Sequence, residues 1–189
     1  MKQKLLDIAR GKNALRGLFG VSFIESSVFP IPPDVMLIPM VLARPERAWL
    51  IAGVCTIASV LGGILGYFIG MFAWETIGQP VLELYGKQDS FDIFKEWFDK
   101  WGFWSVFGAG FTPFPYKVIT MASGSVQLNF AAFIAASILS RGARFFLVAA
   151  VIRYAGDRAR AQIEKHFGLI TLAIFVLMIL AIFSLKFIR

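Results

Sequence analysis

Residues 48–72 carry no charged side chain, and a helix of about 20 apolar residues is what crosses the hydrocarbon of a bilayer. That run predicts a full transmembrane helix. A second uncharged run at 167–185 predicts another. With 58% hydrophobic and only 16% charged residues in a chain of 189, the composition is that of an integral membrane protein, with room for a handful of spans and no separate soluble domain.

The other apolar stretches are interrupted, and the interruptions are informative. Residues 17–43 contain Pro30, Pro32, Pro33 and Pro39, and residues 102–125 contain Pro113 and Pro115. Prolines remove backbone donors and break helices, and broken backbone persists at membrane depth only where protein or a water-filled cavity covers it. Each stretch therefore predicts a re-entrant hairpin, tipped by Ser26, Ser27, Pro30, Pro32 and Pro33 in the first and by Pro113, Pro115 and Tyr116 in the second.

The pattern recurs along the chain. Pro30-x-Pro32 reappears as Pro113-x-Pro115, and Ala48-x-x-Ile51-Ala52 reappears at the same offset as Ala131-x-x-Ile134-Ala135. Broken segments in corresponding positions of two halves point to a transporter's binding site. The expected fold is one all-α integral membrane domain over 1–189. Its core is an inverted repeat of two re-entrant hairpins plus about three full transmembrane helices, at 48–72, 128–152 and 167–188. Amphipathic interfacial helices complete it: a cationic surface helix at 1–16, with the N-terminus retained, and an aromatic one at 81–101, capped by Ser90, with Phe91, Phe94, Trp97, Phe98 and Trp101 on one face.

Charge distribution gives orientation and excludes some functions. The net charge of +7 is concentrated in the N-terminal arm, around Arg44 and Arg47, and between Arg153 and Lys165. Residues 73–100, by contrast, carry more acids than lysines. Basic borders face the cytoplasm, so the N-terminus is expected there and the two hairpins are expected to enter from opposite faces. Nucleic acid is not an expected partner. The single cysteine, Cys55, excludes a disulfide within the chain, and no cofactor or metal is expected. His166 is the only histidine, and no Gly-x-Ser-x-Gly, His-Glu-x-x-His or Cys/His cluster is present, so no enzyme is expected.

Five ionisable residues remain inside the apolar stretches. Glu25 and Asp34 flank the first tip, Lys117 follows the second, and Arg141 and Arg144 share a face of the predicted helix at 128–152. Charges at membrane depth are costly and are retained for function. The carboxylates are candidate proton sites, because leaving water disfavours their charged form; the alternative is structural ion pairing or capping. The guanidinium groups and Lys117 are candidate phosphate ligands, the alternative for Arg144 being a snorkel to the surface. Gly62, Gly66 and Gly70, with Ser59 and Gly63, predict close helix packing.

At these residues the sequence resembles the DedA superfamily, also called the SNARE-associated or VTT-domain family, most closely its YqaA-like bacterial branch. The resemblance rests on Phe23-Ile24-Glu25-Ser26-Ser27-x-x-Pro30-Ile31-Pro32-Pro33-Asp34, on Gly62-Gly63-x-x-Gly66-Tyr67-x-x-Gly70, and on Gly110-Phe111-Thr112-Pro113-Phe114-Pro115-Tyr116-Lys117 with Arg141-Gly142-Ala143-Arg144-Phe145. It implies oppositely facing hairpins and movement of phospholipids between leaflets. In several bacterial members that lipid is undecaprenyl phosphate and the process depends on the proton motive force. The family's acidic pair matches Glu25 and Asp34. Its better-known members carry arginines on both sides of the second hairpin proline, whereas this chain has Gly110, Thr112 and then Lys117, leaving Arg141 and Arg144 to supply the charge.

The expected function is a proton-coupled transporter of a phosphate-bearing lipid in the bacterial inner membrane, with lipid and protons as partners and self-association left open. The alternatives are a carrier or channel for a small ion and a non-transporting factor in envelope assembly.

Overall fold

The computed structural model describes residues 13–27, 32–80, 84, 88–112 and 115–154. The expected cationic helix before residue 13, the tip prolines Pro30 and Pro113, His166 and the expected span at 167–188 lie outside the described residues. Among those described, every regular element is helical: α1 (Ala14–Ser27), α2 (Asp34–Ala43), α3 (Ala48–Ala73), α4 (Gln88–Phe111), α5 (Tyr116–Ser125) and α6 (Phe130–Tyr154).

Two helical stretches are long and apolar enough to cross a membrane, one containing α3 and the other being α6. At about 1.5 Å per residue, α1, α2 and α5 are too short for a hydrocarbon layer of about 30 Å. Prolines mark two of the helix starts, whereas Pro39, expected to break the segment, lies inside α2 without ending it. Pro33 precedes the first turn of α2 and Pro115, in extended backbone, precedes that of α5. A missing N–H costs nothing at a helix start.

The element α4 differs from expectation. It runs without interruption from Gln88 to Phe111, so the boundary expected between an interfacial helix ending at 101 and a hairpin beginning at 102 falls inside one helix. It also starts two residues before the expected cap Ser90. The run 88–111 contains no proline, so nothing breaks it. Its aromatic face is divided: Phe98 is buried, whereas Trp97, Trp101 and Trp104 are exposed.

Helix α3 is the central strut, and its register against its neighbours defines the layout. Ser22 donates to the Cys55 carbonyl at 2.9 Å and Ser26 lies 2.7 Å from Ser59, so α1 runs parallel to α3, from level with its first turn to its middle. From there α2 leads back to the first turn of α3 through the short turn Pro45–Arg47. The second broken segment uses the other end. Trp74, just beyond α3, stacks on Phe91 near the start of α4 at 3.8 Å. Tyr116 lies by Gly63, and Gly124 at the end of α5 meets the Tyr67 backbone. Helix α6 is antiparallel to α3, with Phe146 on Trp49, Arg141 on Ser59 and Phe133 on Tyr67.

Glycines permit this crowding. A Cβ at Gly62 would strike the Phe23 carbonyl, and one at Gly70 the Met121 carbonyl. At Gly66 a Cβ would press on Thr120 while facing the Ser26 carbonyl, so both broken segments converge on that residue. Close backbone approach over small residues is how helices associate without a hydrophobic drive between them.

Two apolar clusters result. One gathers Leu18, Leu37, Val41, Ile51, Cys55 and Phe145, and the other Tyr67, Phe98, Val106, Tyr116 and Phe133. The buried face of α3 carries Cys55, Ser59 and glycines, whereas Leu50, Ile57, Leu61, Leu65, Phe68 and Phe72 point outward. That inverts the arrangement of a soluble helix.

The turn from α5 to α6 carries a local strain. Gln127 donates to the Gly124 carbonyl at 3.0 Å and Leu128 to that of Ser123 at 2.9 Å, which places Gln127 in the left-handed position of a Schellman ending, at φ 55°. Asn129 then caps α6 by accepting from the Ala132 N–H at 3.0 Å. As a prediction, Gln127→Gly stabilises the protein by up to about 1 kcal/mol, raising the thermal midpoint by about 2–4 °C. A lowered midpoint in a thermal scan would contradict this account.

Candidate functional site

The five sequence-predicted charges lie on four elements. Glu25 is near the end of α1 and Asp34 opens α2. Arg141 and Arg144 are one turn apart in the middle of α6. Lys117, in the first turn of α5, is half-buried.

The structure brings the acids and the arginines together in two pairs. Arg141 Nη2 donates to Glu25 Oε2 at 3.0 Å, and Arg144 Nη2 to Asp34 Oδ2 at 2.5 Å. Arg144 is therefore held to α2 by this ion pair. Each arginine also holds a group from the second broken segment. The Arg141 guanidinium lies 4.8 Å from the Tyr116 ring centroid and 4.7 Å from that of Phe145, and Arg144 Nη1 donates to the Thr112 carbonyl at 3.2 Å. Thr112 follows the last residue of α4, where unpaired carbonyls attract a cation.

Around Arg141 the hydrogen bonds form a closed ring whose direction is fixed by proton count. Arg141 Nε donates to Ser59 Oγ at 2.5 Å, and Ser26 donates to Glu25 Oε2 at 3.0 Å. Each hydroxyl has one proton, so the contact between Ser26 and Ser59 must run from Ser59 to Ser26. The carboxylate thus accepts from both Arg141 and Ser26. Both serines are buried, and the Arg141 side chain is 1% exposed.

The second pair is more open: the Arg144 side chain is 22% exposed and Asp34 14%. Asp34 Oδ1 is buried and makes no hydrogen bond among the described residues.

Among the tip residues, Ser27 closes α1 by donating to the Phe23 carbonyl. Pro32 is exposed, Pro33 is buried, and the Tyr116 side chain is fully buried. Ser59 was legible only as part of the small-residue stripe with Gly62 and Gly66; its bond to Arg141 adds it to the site. Thr112 acts through its backbone, which no side-chain motif reveals.

Apolar side chains outside, glycines and serines inside and ion pairs deep between helices make this a membrane protein with a charged centre. The chain belongs to the VTT-domain family, that of the DedA or SNARE-associated proteins, whose domain matches residues 31–154. A Haemophilus influenzae protein described as uncharacterized is 40% identical over 98% of this chain and 96% of its own length. Undecaprenyl phosphate transporter A of Bacillus subtilis is 31% identical over 44% of this chain and 45% of its own. An alkaline phosphatase-like protein of Lactococcus lactis is 29% identical over 62% of this chain and 61% of its own. No solved structure matches the chain.

Proposed function

We propose that this protein moves a phosphate-bearing lipid, undecaprenyl phosphate or a phospholipid, between the leaflets of the bacterial inner membrane, coupled to protons, and that it is not an enzyme. The observation that carries the reading is that each α6 arginine holds one acid of the first broken segment and one group of the second. A change in charge at that centre therefore acts on both segments at once. The similarity to a protein named as an undecaprenyl phosphate transporter points the same way.

In this reading the two broken segments are re-entrant hairpins from opposite faces. Support comes from the first beginning and ending level with the start of α3, and from the second meeting the far end of α3. The N-terminus is cytoplasmic by its basic residues. The lipid phosphate exchanges onto the cationic surface of Arg141, Arg144 and Lys117 while its tails stay in the bilayer. Glu25 and Asp34 hold the arginines when ionised; protonation releases an arginine toward phosphate, and loss of the proton restores the pair and expels the headgroup. Lipid and proton are thereby coupled through a shared cation.

The test is movement of polyprenyl phosphate and of ordinary phospholipid in sealed vesicles holding the purified protein, with and without a pH gradient. Flipping that responds to the gradient is the expected result. Ion flux without lipid movement would replace this reading with a small-ion carrier, and neither activity would leave a structural factor. Hydrolysis of the phosphate monoester by the purified protein would refute the non-enzymatic assignment.

A further inference from the structure

The structure assigns different work to the two ion pairs: Arg141 with Glu25 is a fixed frame, and Arg144 is the residue that receives the phosphate monoester, displacing Asp34. This rests on the reading above and narrows it: of the cations named there Arg144 alone changes partner, and of the two acids Asp34 alone is exchanged.

The argument is one of satisfaction and access. Arg141 spends Nε on Ser59 and Nη2 on Glu25, the ring centroids of Tyr116 and Phe145 stand 4.8 and 4.7 Å from its guanidinium, and its side chain is 1% exposed. An incoming anion would have to enter a site that is closed to solvent and break the serine ring. Arg144 is less enclosed, with the Phe145 ring centroid 6.0 Å from its guanidinium. One of its partners is a main-chain carbonyl at the ordinary length of 3.2 Å, its side chain is 22% exposed, and its carboxylate partner has a buried oxygen with no hydrogen bond among the described residues. A phosphate monoester offers three acceptor oxygens to a guanidinium fork, so exchange of Asp34 for phosphate replaces an incompletely satisfied acceptor with a better one. The Arg144–Thr112 bond puts the exchange beside the second tip, and the Arg144–Asp34 pair puts it beside the first.

The proposal predicts opposite signs for the two partners, which a purely structural pair would not give. Binding is measured on the purified full chain in nanodiscs, with a short-chain polyprenyl phosphate, inorganic phosphate and the neutral polyprenol as probes. Arg144→Ala should weaken polyprenyl phosphate binding by about tenfold to a hundredfold, the range of a charged hydrogen bond. Asp34→Asn, which removes the competing charge, should tighten it by about tenfold on the same basis, while net lipid movement is lost because nothing expels the headgroup. Glu25→Gln should instead lower the thermal midpoint without tightening binding.

If Arg144→Ala does not fold, Arg144→Lys keeps the charge without the fork and should weaken binding severalfold, about five times or more. Phosphate binding by inorganic phosphate as well as by the lipid would assign recognition to the headgroup alone; binding by the lipid only would add the tail, and both support the assignment. Unchanged affinity in the folded Arg144 variant, weaker binding in Asp34→Asn, or equal binding of the neutral polyprenol would overturn it. If the wild-type protein binds none of the phosphate probes, the transport reading itself falls and this inference with it. Wild-type binding that survives loss of the Arg144 guanidinium would sink the inference alone.

Discussion

Arg141→Ala is expected to yield little or no folded protein. The substitution removes the donor to Ser59, the partner of Glu25 and the cation beside the rings of Tyr116 and Phe145. Glu25 is left largely buried with only the Ser26 hydroxyl as donor. Breaking a buried ion pair by removing one partner costs about 3–5 kcal/mol, and the cavity left by a large, fully buried side chain adds to that. Whole domains are stable by only about 5–15 kcal/mol. Truncating Arg144, which is partly exposed, should cost less. Replacing both members, as Glu25→Leu with Arg141→Met, should restore most of the folded protein, since an apolar substitute for a whole buried pair is often neutral or stabilising. The measurement is monodisperse yield and thermal midpoint in detergent for the single and double variants. An Arg141→Ala protein as stable as the wild type would show that the serine ring and the two aromatic contacts contribute nothing to the fold.

What the sequence made readable, and what it did not, follows from the range of each interaction. The α3 span was expected at 48–72 and ends one residue later, at Ala73, because absence of charge is a property of each position by itself. The α6 span was expected at 128–152 and begins at Phe130, shifted by the Schellman ending and the Asn129 cap, two local features that hydrophobicity does not register. Glu25, Asp34, Arg141 and Arg144 stood out because charge in an apolar matrix needs a reason.

Their pairing was out of reach. The partners are 116 and 110 residues apart, and nothing in the spacing of the acids says which arginine each will meet. Packing decides it: the offset of α1 on α3 sets Ser26, the neighbour of Glu25, against Ser59, and α6, antiparallel to α3, brings Arg141 to the same level. Ser59 was therefore readable as a small residue in a packing stripe but not as a ligand of Arg141. The expected break at 101/102 failed for a complementary reason. A shift from mixed to apolar composition changes what surrounds a helix, whereas only a backbone cause such as proline ends it.

The glycine stripe supplies the other large effect, and there two opposing magnitudes must be compared. Alanine in place of glycine within a helix gains up to about 1 kcal/mol in propensity, so Gly53→Ala, whose new methyl meets nothing nearby, should be neutral or stabilising. At Gly70 the same methyl would overlap the Met121 carbonyl, with the Met121 Cα and carbonyl carbon also in the way. Those are backbone atoms of α5, so no side chain can rotate aside, and relief requires the whole short helix to move. Overpacking costs about 1–3 kcal/mol and occasionally more, which outweighs the gain. Gly70→Ala is therefore expected to be destabilising, and Gly70→Leu to abolish folding. The damage should also reach the charged centre, because α5 carries Tyr116 against Arg141 and a displaced α5 uncovers that face of the guanidinium. Thermal midpoints of Gly53→Ala and Gly70→Ala, measured side by side in the same detergent, decide the matter. Equal shifts in the same direction would mean that α3 and α5 do not cross as closely as this structure has them.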